Sequence, residues 1–435
     1  MKRLFSLLLA CVIMWSACAA YAEHYAQGIF GDDDRLALYD RCSDDVKAAV
    51  PFDQFAGMVD MLVGLYGTFE GLGDIVDASP LGEWTVYSCA VYFKNQILLM
   101  QWSEDAAGTI MGFGFMPLDT ILFDAADASD LPDGIVELEV IVGDGEYTLP
   151  GILTMPANAQ NLKAVVLVHG SGPQDRDEHV GNTRLFRDIA YMLAQNGMAS
   201  LRYDKRTLVY GADLNMEAFT VKEEMIEDAV AAGRLLVDTP EIDSEHVFLL
   251  GHSLGAMQAP RIVAESEGLF CGMVLVAGSP KTLLDILISQ NAALIEGLPE
   301  DARDAQYDIL NAEINRIDQV FSLPVEDIQK EKLFLSPAYY FYEMNLTNNA
   351  ALIAELQIPT LIMQGGGDFQ ISKENGLDAY LDALGEQRYI QYKLYPELNH
   401  LMMASVETQS VIDYNEALHL DVTAAQDIIS FMRDH

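Results

Sequence analysis

Basic side chains are scarce: the 435-residue chain carries 25 Lys and Arg against 66 Asp and Glu, a formal net charge of −41. A surface of that sign repels nucleic acid and anionic lipid and favours solubility. Nucleic-acid partners are therefore excluded, and the acids read as a solvated exterior. Cysteine is scarce as well, at five residues. No Cys-x-x-Cys, His-Glu-x-x-His or mixed Cys/His cluster occurs, so the usual zinc spacings are missing and no metal site is expected. G-x-x-x-x-G-K-[ST] is also missing; Gly365-Gly366-Gly367 lacks the lysine and the helix geometry that cradling a phosphate requires. No cofactor is expected. Past the first residues, no apolar run is long and charge-free enough to span a bilayer, so stable membrane insertion is not expected.

What is present begins with a targeting pattern. Lys2 and Arg3 precede the apolar stretch Leu4 to Trp15, small residues follow, and Ala20-Tyr21-Ala22 offers a cleavage site before Glu23. Residues 1–22 read as a signal peptide and the protein as exported, periplasmic or extracellular. Lipidation at Cys18 fits less well, because Trp15 stands where an aliphatic residue belongs. Three cysteines remain after cleavage. Export permits disulfides, and Cys42 with Cys89 would staple the N-terminal region. The odd count leaves at least one thiol free, and Cys271, just before an apolar strand, reads as a packed one.

Two patterns divide the rest. Arg35 to Gly67 reads as two helices, with Leu36, Leu38 and Tyr39 on one face and Phe52, Phe55, Met58, Val59, Leu62 and Leu65 on another. Thr85–Phe93, Gln96–Trp102 and Ile110–Met116 read as three strands, the first two joined by a turn at Lys94-Asn95-Gln96. Residues 23–127 are therefore expected to form a small α+β domain, and 128–134, rich in Asp, Ser and Pro, a linker. From Ile135 an antiparallel pair, Ile135–Val142 and Glu146–Met155, leads into short apolar strands alternating with helices, including one over Met216–Leu236. That alternation predicts an α/β domain over 135–435 with a mostly parallel sheet covered on both faces and a ligand site at the carboxyl ends of its strands. Between Lys281 and Ala354 the alternation stops. This helical insertion, 281–354, is too long for an ordinary connection and is expected to cap the active-site end.

Gly251-His252-Ser253-Leu254-Gly255 follows the apolar strand Val247–Leu250 and runs into a predicted helix over Leu254–Glu265. Strand, turn and helix around G-x-S-x-G form the context of a nucleophile elbow, in which small flanking residues let strand and helix approach and the serine stands clear. Asp368 follows the strand Thr360–Gln364 and His400 follows Tyr389–Tyr395. Ser, Asp, His is the chain order of α/β-hydrolases. Ser253 is the expected nucleophile, His400 the base and Asp368 the group that holds the imidazole. An oxyanion hole is expected from Leu254 N–H at the helix start and from the loop His169-Gly170-Ser171-Gly172-Pro173, with Ser171 N–H ahead of Gly172. His169 and His252 read as braces for their loops. Asp175-Arg176-Asp177-Glu178 and Arg202-Tyr203-Asp204-Lys205-Arg206, both at strand ends, read as ion pairs that fix those loops; Arg202 or Arg206 facing the pocket would instead favour an acidic substrate.

The stretch His169 to Glu178, Leu201 to Arg206 and the GHSLG elbow together resemble bacterial α/β-hydrolase esterases related to dienelactone hydrolases and to the S9 peptidase clan, over about residues 135–435. The N-terminal region, through Gly64-Leu65-Tyr66-Gly67 and Cys89-Ala90-Val91-Tyr92-Phe93, is similar to a small domain of unnamed function found fused to such hydrolases. The resemblance implies an α/β-hydrolase fold, the triad Ser253, Asp368 and His400, and small carboxylic esters as substrates. Dienelactone hydrolases proper use cysteine where this chain has Ser253, which sets it apart from lactone specificity. The expected function is a secreted serine esterase. A peptidase or acyltransferase could use the same triad, and an inactive hydrolase carrying a binding module is a third reading. No feature of the pattern specifies an oligomeric state.

Overall fold

A computed structural model describes residues 35–81, 84–94, 97–117, 131–211, 214–215, 218–296, 300–334, 336–404, 414 and 418–435. The expected signal peptide, Cys18, residues 128–130 of the expected linker, Asn95 and Gln96 of the hairpin turn and Met216 lie outside them. The chain divides into two compact units between Ala125 and Ala126.

In the first unit, α1 (Arg35–Asp40), α2 (Asp44–Ala49) and α3 (Phe52–Tyr66) share a core with an antiparallel sheet of β1 (Phe69–Leu81), β2 (Trp84–Phe93), β3 (Ile97–Glu104) and β4 (Ile110–Pro117). The first expected helix is two short ones: Ser43 ends the break by accepting from Val46 N at 3.2 Å, so α2 starts afresh. The strand β1 was not expected. Gly71, Gly73, Asp74 and Pro80 interrupt any apolar alternation along it, and its register against β2 shifts at three places. Export would permit a Cys42–Cys89 disulfide, and none is formed. Cys42 and Cys89 are free thiols packed among apolar side chains, and burial pushes them up to about 11 and about 12 respectively.

In the second unit, β5 (Ile135–Val142), β6 (Leu149–Pro156), β7 (Leu162–Val168), β8 (Ala199–Tyr203), β9 (Ile242–His252), β10 (Gly272–Val276), β11 (Thr360–Gly365) and β12 (Ile390–Tyr395) form one sheet. Its order is β12-β11-β10-β9-β7-β8-β6-β5. β6 pairs antiparallel with β5 and β8, and every other pairing is parallel.

The period-2 alternation of the strands builds the two cores. Val165, Leu167, Phe248 and Leu250 pack with α4 (Leu185–Gln195) and the terminal helix Val422–Asp434. Ala164, Val166, Val168 and Leu249 pack on the other face with α6 (Glu227–Val237) and α7 (Leu254–Glu265), the intervening α5 being Arg206–Tyr210. Covered on both faces, with helices between parallel strands, this is an α/β-hydrolase fold. One expected helix differs in kind: Met216–Leu236 enters α6 through a π turn, Lys222–Ile226.

Between β10 and β11 lie α8 (Leu283–Glu296), α9 (Glu300–Phe321), α10 (Val325–Ile328), α11 (Ala338–Met344) and α12 (Asn349–Leu356). They hold a small core of their own around Leu284, Val320, Ile328, Leu333 and Phe341.

Candidate active site

Ser253 stands between β9 and α7 with φ 52° and ψ −116°. A non-glycine residue held there costs on the order of 1–3 kcal/mol and persists only where its surroundings impose it. The surroundings are specific. A Cβ on Gly251 would run into the Gly255 backbone, and one on Gly255 would run into the carbonyls of Val168 and His169. Strand, turn and helix close on one another only because both positions lack a side chain. Ser253 N donates to Val276 O at 2.9 Å, fixing the turn to β10.

Asp368 and His400 follow the ends of β11 and β12. Asp368 Oδ2 lies 2.7 Å from His400 Nδ1 and accepts from Gln364 Nε2 at 3.0 Å. Asp368 Oδ1 accepts from the backbone N–H of Gln370 and of Ile371, at 2.8 and 2.9 Å. Both oxygens are thus satisfied in a site where Asp368 is 6% and His400 3% exposed. With Nδ1–H donated to the carboxylate, His400 Nε2 keeps its lone pair free for a hydroxyl proton. Among the described residues no hydrogen bond joins Ser253 Oγ to His400. The ring of His252, the residue before Ser253, lies 4.8 Å from that of His400. Such bonds are often long in unliganded sites and tighten once substrate is bound.

His252 braces this arrangement. Its Nδ1 meets Glu178 Oε1 at 2.9 Å and its Nε2 meets the carbonyl of His400 at 3.1 Å. Both partners are acceptors, so both nitrogens must donate and the ring is an imidazolium. Burial opposes that charge, but the Glu178 carboxylate, the His400 carbonyl and Asp368 together raise the His252 pKa. Burial likewise works against the Glu178 anion, and His252, with His169 and the Gly170 N–H, lowers the Glu178 pKa. His169 differs. Burial lowers its pKa, and its Nε2 donates to Asp175 O at 2.9 Å. Sequence reasoning found these two histidines as braces and placed Glu178 among the ion-paired strand ends without naming its partner; it did not single out Gln364.

The charged strand ends are consumed in ion pairs. Arg176 grips Asp204 with Nε at 2.8 Å and Nη2 at 2.6 Å. Arg202 bonds Asp177 at 2.9 Å and Glu137 at 2.6 Å, and Arg206 pairs with Asp228 and Glu227. Arg202 and Arg206 are buried, so neither guanidinium is left to meet an acidic substrate. The loop expected to supply the second oxyanion donor lies against the elbow: a Cβ on Gly170 would sit 3.1 Å from Ser253 Cβ. Ser171 is partly exposed, and Leu254 N–H opens α7, where the helix dipole favours negative charge. No group of three or more His, Cys, Asp and Glu able to hold a metal occurs among the described residues. No helix among them is long and apolar enough to cross a membrane.

This chain is similar over nearly its full length to Esterase EstD of Thermotoga maritima, at 29% identity over 426 residues and 97% of each chain. Among solved structures, Est1E of Butyrivibrio proteoclasticus is 13% identical over 68% of this chain and 99% of its own, with a TM-score of 0.43. The Pyrococcus furiosus esterase Pf2001 is 15% identical over 72% of this chain and 95% of its own, with a TM-score of 0.44. The family described as serine aminopeptidase, S33 (Hydrolase_4), matches residues 159–408, a span from β7 past His400 that takes in the elbow and both strand-end partners. With more than half of its length matched, this α/β-hydrolase-fold chain belongs to that family.

Proposed function

We propose that the enzyme is a carboxylic ester hydrolase that works through an acyl-enzyme on Ser253. The observation that carries the reading is the positive-φ serine at the β9–α7 turn, whose neighbour His252 packs on a histidine held 2.7 Å from Asp368. As Ser253 Oγ bonds to the ester carbonyl carbon, its proton passes to His400 Nε2 and the carbonyl electrons move onto oxygen. The N–H groups of Ser171 and Leu254 receive that oxyanion. When the tetrahedral species collapses, the alkoxide leaves with the proton from His400. Water then repeats the sequence on the acyl-enzyme, giving the carboxylic acid and restoring the serine. Asp368 stays ionised, orients the ring and offsets the imidazolium that forms twice per turnover. The similarity to EstD supports esters as the substrate class.

Three finer readings go with it. Residues 1–22 export the chain. Residues 23–127 are a separate domain, joined through 128–134 to the hydrolase domain 135–435. The insertion 281–354 caps the site: Gln290 Nε2 donates to Gln370 O at 2.9 Å and Asn375 Nδ2 to Ser289 Oγ at 2.7 Å, both on the loop that carries Asp368.

The test is Ser253→Ala assayed on esters of graded acyl length. Turnover should vanish while the circular-dichroism spectrum stays that of the parent; retained turnover would refute the assignment. A peptidase is the second reading, favoured by the family's description as aminopeptidases. Matched ester and amide substrates separate the two, and the ester should be cleaved with the higher kcat/KM.

A further inference from the structure

One string of buried polar groups lies outside the triad and its braces. Lys205 is 1% exposed, an unusual place for a lysine unless it is paired. Its Nζ donates to Gly170 O at 2.7 Å and pairs with Glu224 Oε1 at 2.5 Å. Glu224 is buried within the π turn Lys222–Ile226, and its Oε2 accepts the Tyr340 hydroxyl at 2.6 Å. Tyr340 belongs to α11, inside the insertion. On the other side of the same loop, Gly170 N donates to Glu178 Oε1 at 2.6 Å.

Peptide geometry gives this string a consequence. In a trans peptide the carbonyl of residue 170 and the N–H of residue 171 share one plane and point in opposite directions, and no cis peptide occurs among the described residues. An ammonium fixed on Gly170 O therefore sets where Ser171 N–H points. It also draws electron density from that amide, which strengthens the N–H as a donor. Glu178 fixes the preceding peptide through Gly170 N–H, so Gly170 is held at both of its polar groups. π turns are rare and recur at functional sites; this one presents Glu224 to Lys205 and Tyr340 together.

We propose that Lys205 is a positioning residue for the oxyanion hole, aiming Ser171 N–H through the Gly170 carbonyl, and that Glu224 and Tyr340 couple its position to the helical insertion. The insertion then affects the rate of acyl transfer and not only access to the site. The inference rests on the esterase reading, so Ser253→Ala is run beside every variant.

Lys205→Met alone would leave Glu224 buried without its counter-charge, so the informative pair is Lys205→Met/Glu224→Gln and Tyr340→Phe. Steady-state kinetics on a short-chain p-nitrophenyl ester, corrected for active sites by the acylation burst, read the effect. Losing one oxyanion donor outright costs about 10²–10³-fold in kcat; a misaimed donor should cost less, about 10- to 100-fold, with KM little changed. Tyr340→Phe should lower kcat about 2- to 5-fold in the parent, and not at all in the Lys205→Met/Glu224→Gln background. Affinity for a trifluoromethyl ketone, which places an oxyanion in the hole, should fall in step with kcat, whereas a merely structural loss would leave it unchanged per active site. Parental kcat in Lys205→Met/Glu224→Gln, a loss confined to KM, or equal Tyr340→Phe effects in both backgrounds would overturn the proposal. If Lys205→Met/Glu224→Gln fails to fold, Tyr340→Phe decides alone: parental kcat and parental ketone affinity overturn it. Turnover surviving in Ser253→Ala would instead sink the esterase reading beneath it.

Discussion

At the scale of the residue, the Asp368 carboxylate and both nitrogens of His252 have their hydrogen-bond partners in place. Asp368 spends three of its hydrogen bonds on Gln364 and on two backbone N–H groups, and so meets His400 already oriented. Asp368→Asn should keep this geometry yet favour the wrong imidazole tautomer, lowering kcat by about 10⁴-fold; a loss below tenfold would argue that another group orients the ring. The Glu178–His252 pair makes a different prediction, in stability. His252 has its pKa raised above the ordinary 6.5 and Glu178 lowered below the ordinary 4.5. A raised histidine contributes fully below its unfolded value and loses the contribution as pH climbs through the folded one. A depressed glutamate contributes fully above its unfolded value and loses it as pH falls through the folded one. The pair therefore contributes most between about pH 4.5 and 6.5. Removing one partner of a buried pair costs about 3–5 kcal/mol, so Glu178→Gln should be destabilised by that order in urea titrations at pH 5.5. The deficit should shrink as the pH is raised; a deficit constant from pH 5.5 to 9 would contradict the charge assignment.

At the scale of the element, the elbow is the feature on which the rest depends. Gly255 lets α7 start directly beneath the carbonyls of Val168 and His169, so Gly255→Ala must push strand and helix apart. Destabilisation by more than about 4 kcal/mol is expected, read from the denaturation midpoint; a cost under 1 kcal/mol would mean the turn is looser than described. This element was legible in the sequence because its requirements are local: an apolar strand, two glycines at fixed offsets and a helix. The parallel strands were legible for the same reason, being continuous apolar runs buried on both faces. The strand β1 was not, because its bulges and its Gly and Pro residues erase the period of two on which strand recognition depends. The contacts Glu178–His252, Lys205–Gly170 and Tyr340–Glu224 join residues 74, 35 and 116 positions apart. Periodicity carries no information about which loop carbonyl a distant lysine will reach. What could have pointed to Lys205 is its position among bases that are few and clustered at strand ends, in a chain where acids prevail.

At the scale of the whole molecule, the two units bury separate sets of side chains. The first unit's core runs from Leu38 to Ile110, and those of the second draw on residues from Val142 to Met432. Separate cores predict separate cooperativity, so scanning calorimetry of the full chain should resolve two transitions. A single transition with equal calorimetric and van't Hoff enthalpies would contradict that division. The chain's large excess of acids leaves catalysis untouched in this description, because the site's charges are buried and internally matched. Whether one serine at the carboxyl end of the sheet is chemically activated by its neighbours is decided by covalent labelling. Incubated with a fluorophosphonate and digested, the protein should carry one label, located by mass spectrometry on Ser253, and Ser253→Ala and His400→Ala should remain unlabelled. Label on another residue, or an unlabelled Ser253 in folded protein, would contradict the account.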